Sequence, residues 1–432
     1  MPQQYSTGLK TILPRAIRSC LPKSSRLPYN WGSKLRGLVA GVCLSRSLVL
    51  QSIAQTKPER VKTTENKLSE FLGQPRLEMS KQQRSCVMRV LKRLGRRRVW
   101  RHEGKAALII DSTAHEKARS RGKTRGMPGK GQVRLHNLKT DETVLVPGYQ
   151  EIWVCLLLAD RTVLPITRRL WSEKGPASAS LNLVEEAEIG KAVEIVKKAL
   201  KLDVILVADS GFRRKELLHW LKKGEKIDFV IRLEGKLTVA LDGAKELLAE
   251  VAPSWQKRVV MQFRDTAKDF DLSSVASRRV TVETEFRDRV SFNALCLTSV
   301  DGSRKPMFLA TTLTTATVAD VILAVRLYSW RWGIETFFWK FKNGLGANTW
   351  RVYSSWRAIT NLLTAAHMAY LIMAMIAELA KSGKTRAMRN LWEWMEDMLR
   401  HRFARPPTMT LGRFMTLLAM DFPSPVLFGK AL

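Results

Sequence analysis

Two short runs constrain the fold of this chain more than any other feature. Ala106-Ala-Leu-Ile-Ile110 and Val204-Ile-Leu-Val-Ala208 are unbroken in apolar residues, and each is followed at once by an aspartate, Asp111 or Asp209. A strand that is apolar on both faces has to be covered on both, as the central strands of a helix-flanked sheet are. Between the runs, Ile152 to Leu158 and Val163 to Leu170 predict two strands around the turn Ala159-Asp160-Arg161. A helical period from Leu181 to Leu200 then returns the chain to the sheet, and a helix near 213–223 leads to a strand at Phe229 to Leu233. In a sheet of this order the two apolar strands can be neighbours that deliver both carboxylates to one edge. Taken singly, an aspartate after a strand is as readily a turn former or helix cap.

From 234 to about 315 the pattern is β-rich, clearest at Val280 to Glu285, Phe292 to Leu297 and Met307 to Ala310. It reads as an insertion before a helix that carries Tyr328, Arg331, Glu335 and Lys342. At roughly 100° per residue these four groups fall within about 60° of one another, beside an apolar arc that includes Leu327, Ile334, Phe337, Phe338 and Phe341. An exposed Arg331–Glu335 pair alone would be worth only about 0.2–0.5 kcal/mol. Gly333 costs such a helix roughly 1 kcal/mol relative to alanine, so helicity alone does not explain the segment. A carboxylate flanked by two cations and a phenol suits metal and phosphate.

The charge balance points the same way. Lys and Arg number 73 against 39 acids, a net charge of +34 over 432 residues. That excess favours a nucleic acid partner held largely by counterion release and weakened steeply by salt, with an anionic membrane surface as the competitor. The apolar stretch Leu362 to Ala377 is short for a bilayer and carries His367, so a buried core helix is expected rather than a span. Cys20, Cys43, Cys86, Cys155 and Cys296 are scattered without metal-ligand spacing and read as thiols in a reducing compartment. A polar start without signal-peptide order adds the expectation of a product kept inside the cell.

Residues 1 to about 100 predict helices. Leu35 to Ile53 is helical in pattern, and Ser80 to Gln83 forms a capping box opening a second helix that stops near Gly95. That helix sets Arg84, Arg89, Lys92 and Arg93 opposite Val87, Val90, Leu91 and Leu94 and runs into Arg96-Arg97-Arg98, either a solvated face or a small DNA-binding domain. A cationic loop from Lys117 to Lys139, with Arg119, Arg121, Lys123, Arg125 and Lys130, is expected to lie over a polyanion, and His115 reads as a loop or DNA contact.

The spacing Tyr328-x2-Arg331-x3-Glu335-x6-Lys342 resembles the YREK signature of bacterial insertion-sequence transposases of the DDE group, of the insertion sequence number four type. Ile109-Ile-Asp-Ser-Thr113 and Val207-Ala-Asp-Ser-Gly-Phe212 resemble that family's two acidic motifs, in order and with its β-rich insertion, over roughly residues 100 to 380. Ser210 departs from the Arg or Gly common there. The resemblance implies an α/β, ribonuclease H-like mixed-sheet core over 101–380 with the insertion at about 234–315. From the basic amphipathic helix, 1–100 is expected to be a helical, DNA-binding region, and 381–432 a helical tail open to a dimer or DNA contact. Asp111, Asp209 and Glu335 would be the catalytic acids and the ligands of Mg²⁺, for which Mn²⁺ can substitute. Tyr328, Arg331 and Lys342 would hold phosphates at the transposon end. Trp332 is read either as stacking on a displaced base or as a half-buried core residue. The implied activity is cut-and-paste movement of double-stranded DNA at terminal inverted repeats, by a homodimer acting at the nucleoid in the bacterial cytoplasm. A non-catalytic DNA-binding protein, a decayed copy or an inhibitor at transposon ends, is the alternative.

Overall fold

The computed structural model describes residues 3–21, 31–57, 60–117, 127–137, 142–176, 180–242, 244–263, 271–302, 304–348, 350, 355–383 and 385–402, with Met409 and Arg413. Five helices open the chain: α1 (Gln3–Cys20), α2 (Trp31–Ser45), α3 (Leu50–Ala54), α4 (Val61–Gly73) and α5 (Met79–Leu94). Strands β1 (Arg101–His102), β2 (Lys105–Glu116), β3 (Gly131–Asn137), β4 (Glu142–Leu157) and β5 (Val163–Trp171) follow, then α6 (Leu181–Leu200) and β6 (Asp203–Ala208). After α7 (Lys215–His219) come β7 (Asp228–Leu233), β8 (Thr238–Leu241), β9 (Ala244–Leu247), α8 (Leu248–Val251), β10 (Lys257–Phe263), β11 (Asp271–Glu283), β12 (Arg289–Ser299) and β13 (Met307–Thr311). The chain then turns helical, through α9 (Val318–Trp330), α10 (Gly333–Trp339), α11 (Trp356–Lys381) and α12 (Arg386–Arg402).

The strands form one mixed sheet, whose centre is the order β5-β4-β2-β6-β7. The first two joins are antiparallel, β4–β5 as a hairpin, and β2-β6 and β6-β7 are parallel, with α6 and α7 as the helices on the returning connections. This is the mixed α/β core expected from the two apolar runs. The β-rich segment extends the same sheet, because β13 pairs with β7 and β12 and β11 follow in turn.

α11 is longer than its apolar stretch suggested, 26 residues, and could by length and composition cross a bilayer. Instead 89% of its most apolar window is buried inside the protein. It lies against β5 and against α2, α4 and α5, so the N-terminal helices close over it. The five cysteines are all buried and unbridged.

Several local expectations differ from what forms. The helix expected over Leu35 to Ile53 is two helices, parted at 46–49 where Arg46 takes φ 49°. Ser80 is not a cap: α5 begins at Met79 after Glu78, and the Gln83 amide, which would have closed a capping box, pairs with His367 Nδ1. Asp111 is not at a strand end, since β4 keeps β2 extended as far as Glu116. The region expected as a loop from Lys117 to Lys139 contains β3, and Lys117 is buried over the Trp350 ring with its ammonium donating to the Asn348 and Trp350 carbonyls. Arg119, Arg121, Lys123 and Arg125 lie outside the described residues. The basic face of α5 is partly used internally: Arg84 pairs with Glu194, Arg89 donates to the Leu21 carbonyl, Arg96 to the Leu200 carbonyl and Arg98 to Glu378, which leaves Lys92, Arg93 and Arg97 on the exposed side.

Candidate functional site

The parallel register decides the site. Ile110 pairs with Ala208, so the residues that follow, Asp111 and Asp209, stand side by side on neighbouring strands. Each carboxylate accepts the next backbone N–H, Ser112 N to Asp111 Oδ1 at 2.7 Å and Ser210 N to Asp209 Oδ1 at 2.7 Å, which fixes its rotamer.

The segment expected as one continuous helix from Tyr328 to Lys342 is bent. α9 ends at Trp330, Arg331 and Trp332 form a turn, α10 starts at Gly333, and Lys340–Gly344 widens into a π-turn. Gly333 explains the break. A Cβ there would stand 3.0 Å from Val163 Cγ1 and 3.2 Å from the Arg161 carbonyl oxygen, so a larger residue would push the bend a few tenths of an ångström off the β4–β5 turn. α10 is anchored from the sheet by Trp153, whose ring packs edge-on against Phe337 and Phe341 at 4.9 Å each.

The bend brings Arg331 between the two aspartates. Its guanidinium, 3% exposed, donates from Nη1 to Asp111 Oδ2 at 3.0 Å and lies 3.4 Å by Nη2 from Asp209 Oδ2. Tyr328 is buried and donates its hydroxyl to Asp209 Oδ1 at 3.1 Å. Glu335 sits at the mouth of the site, open to solvent. Lys342 reaches the far end and donates to the Ala114 carbonyl at 2.8 Å. Thus Asp111, Asp209, Tyr328 and Arg331 are in direct contact. Glu335 and Lys342 flank them without a hydrogen bond to the two aspartates.

The electrostatics are those of crowded acids in a desolvated pocket. Burial pushes the Asp111 carboxyl up to about 7, against the lowering effect of Arg331, and Glu335 and Asp209 add to the rise. Glu335, though its side chain reaches solvent, is raised by partial desolvation at the crowded mouth, opposed by Arg331 and Lys342 and reinforced by Asp209. Burial lowers Lys342, partly offset by the negative charges of Glu151 and Glu335.

Among the described residues no cluster of His, Cys, Asp or Glu is drawn together tightly enough to form a ready-made metal centre. The donor chemistry nevertheless fits a hard divalent ion. The acids offer only oxygen, and a carboxylate that burial disfavours, as at Asp111, gains from a cation beside it.

Beside Glu335 opens a groove of about 770 Å³, with Arg161, Arg326, Trp330, Trp332 and Trp339 among its lining residues. Trp339 is 64% exposed, and Trp332 is half-buried with the Arg331 guanidinium 5.2 Å from its ring. Arg161 lies 5.2 Å from the Trp330 ring.

Sequence reasoning misplaced one residue and missed two. His115, expected as a loop or DNA contact, is fully buried on β2 with Nε2 2.6 Å from Glu151 Oε2. Glu151 on β4 pairs with Arg168 on β5, and Arg168 Nη1 donates to Thr364 Oγ1 of α11 at 2.8 Å. The signal was weak, because Glu151 stands just before the apolar run Ile152 to Leu158 and Arg168 stands beside Arg169; only their burial makes a partner necessary.

Residues 184–372 match the family described as the transposase DDE domain. The matched span contains Asp209 and the whole Tyr328–Lys342 segment, and Asp111 lies before it. Together with the mixed-sheet core, the match supports a DDE-superfamily transposase, an enzyme class that acts on DNA and generally employs divalent metal ions. No curated protein matches the chain.

Proposed function

We propose that this protein is a cut-and-paste transposase of the YREK, insertion sequence number four type, which cleaves and joins DNA at the terminal inverted repeats of its element. The observation that carries this reading is the convergence of Asp111 and Asp209, through parallel strand register, onto Arg331 of the segment that also bears Tyr328, Glu335 and Lys342.

In this reading Asp111, Asp209 and Glu335 hold Mg²⁺ or Mn²⁺. Bound there, a divalent ion would supply Lewis-acid activation of water and charge compensation for a departing 3′ oxygen. The chain's own residues do the rest. Arg331 and Lys342 place positive charge against the reacting phosphate, where a preformed donor in a partly desolvated site is most effective. The Tyr328 hydroxyl, donating to Asp209, keeps that carboxylate oriented. Trp332, in the groove beside Glu335, offers an aromatic face to a displaced base. The helices of 1–100 and the tail after 381 contribute further DNA and dimer contacts, and a homodimer brings two element ends together in the cytoplasm.

The test is cleavage. Purified protein with Mg²⁺ should nick DNA carrying its element's terminal repeats, and Asp209→Asn should abolish cutting while leaving DNA binding intact. Undiminished cleavage by that variant sinks the assignment of the acids. Binding without cleavage by the native protein favours a non-catalytic occupant of transposon ends.

A further inference from the structure

Under the signature segment lies a second set of buried charges that the chemistry proposed above does not use. Glu151 is fully buried on β4. One carboxylate oxygen accepts from Arg168 Nε, and the other is 2.6 Å from His115 Nε2. Burial alone would raise this carboxyl, but Arg168 and His115 outweigh it and hold Glu151 down at about 2, so it carries full charge. Its neighbour across the strand pair is Thr113, next to Ala114, whose carbonyl accepts from Lys342 Nζ. Lys342 therefore lies against the sheet at the level of Glu151, on the π-turn that ends the signature segment.

A lysine brought this far out of water tends to lose its proton unless a counter-charge faces it. The charged and titratable groups around Lys342 are few. Glu335 lies on its own helical segment, at the open mouth of the site. Glu151 stands on the same face of β4 as Trp153, which packs against Phe341, the neighbour of Lys342, and its negative charge favours the ionised lysine. His115 on β2 is lowered by burial against the pull of Glu151, Lys117 lies just past the end of the same strand, and Arg168 is committed to Glu151 and α11.

We propose that Glu151 is a positioning residue for Lys342: its buried carboxylate is the fixed counter-charge that keeps the lysine ionised and pinned to the β2 backbone, ready for a DNA phosphate. This rests on the reading of Lys342 as a phosphate holder. The π-turn serves the same end, because the wider turn shifts Lys342 from the phase that a regular helix would give it.

The experiment is a double-mutant cycle on end-DNA binding, measured with a labelled duplex of the terminal repeat in EDTA. Lys342→Ala should weaken binding about tenfold, as loss of one charge-assisted contact does. Glu151→Gln should weaken it roughly threefold at pH 7 and more as the pH rises to 9, because the lysine then deprotonates earlier. In the Lys342→Ala background Glu151→Gln should add nothing, and Glu151→Asp should restore part of the loss. A Glu151→Gln effect that persists undiminished in the Lys342→Ala background, or does not vary with pH, overturns the proposal and makes Glu151 merely structural. Should Glu151→Gln unfold the chain by stranding Arg168, Glu151→Gln with Arg168→Met removes both charges and carries the same cycle. If Lys342→Ala itself leaves binding unchanged, what fails is the phosphate-holding role of Lys342.

Discussion

Asp111 gives the sharpest quantitative consequence of the site. Its carboxyl is pushed from 3.8 to about 7, first by burial, with Glu335 and Asp209 adding to the rise and Arg331 opposing it. The sign follows from proton linkage. Below pH 4 the carboxyl is protonated in both the folded and unfolded chain, and the folded state pays nothing for it. As the pH rises from 4 to 7 the unfolded chain releases its proton first, so the native state loses stability until both states are ionised. A displacement of about three pKa units corresponds to about 4 kcal/mol, an upper figure for a side chain 15% exposed. Asp111→Asn removes the titration without changing shape. The variant should therefore match the wild type near pH 4 and exceed it by about 2–4 kcal/mol at pH 8, measured by urea unfolding in EDTA across that range. A stability difference that stays flat from pH 4 to pH 8, or favours the wild type at pH 8, would refute the view of Asp111 as an undercompensated buried acid. Magnesium should stabilise the wild type at pH 8 and lose that effect in the variant.

Two other outcomes test the frame around the site. Gly333→Val should drive side-chain atoms into Val163 and the Arg161 carbonyl, cost about 1–3 kcal/mol of stability and lower the melting temperature, because the contact with the Arg161 backbone is already tight for a Cβ. His367, fully buried between Gln83 and the Pro165 carbonyl, is pushed down to about 3 and stays neutral. Its contribution is present above about pH 6.5 and is lost as the pH falls toward 3, so His367→Gln should flatten the acid limb of the unfolding profile over that window.

The sequence by itself determined the periodic part of this protein. The apolar runs at 106–110 and 204–208, the strands around Ala159-Asp160-Arg161 and the helix Leu181–Leu200 are all where pattern puts them, the last to the residue. Periodicity records which faces are buried, and burial is what selects these elements. The spacing of Tyr328, Arg331, Glu335 and Lys342 likewise marked the segment that carries the site. Tertiary structure decided what the period could not encode. Strand register set Asp111 beside Asp209, and pairing with β4 carried β2 past Asp111 to Glu116. Close approach of Gly333 to the β4–β5 turn broke a helix whose local pattern was continuous, and that break put Arg331 between the acids. The partners of Glu151, His115 and Arg168 came from three separate strands, and Gln83 left its own helix end for a histidine on α11. Local sequence fixes which groups are polar, but a buried charge finds its partner through space, and only the folded chain sets that distance.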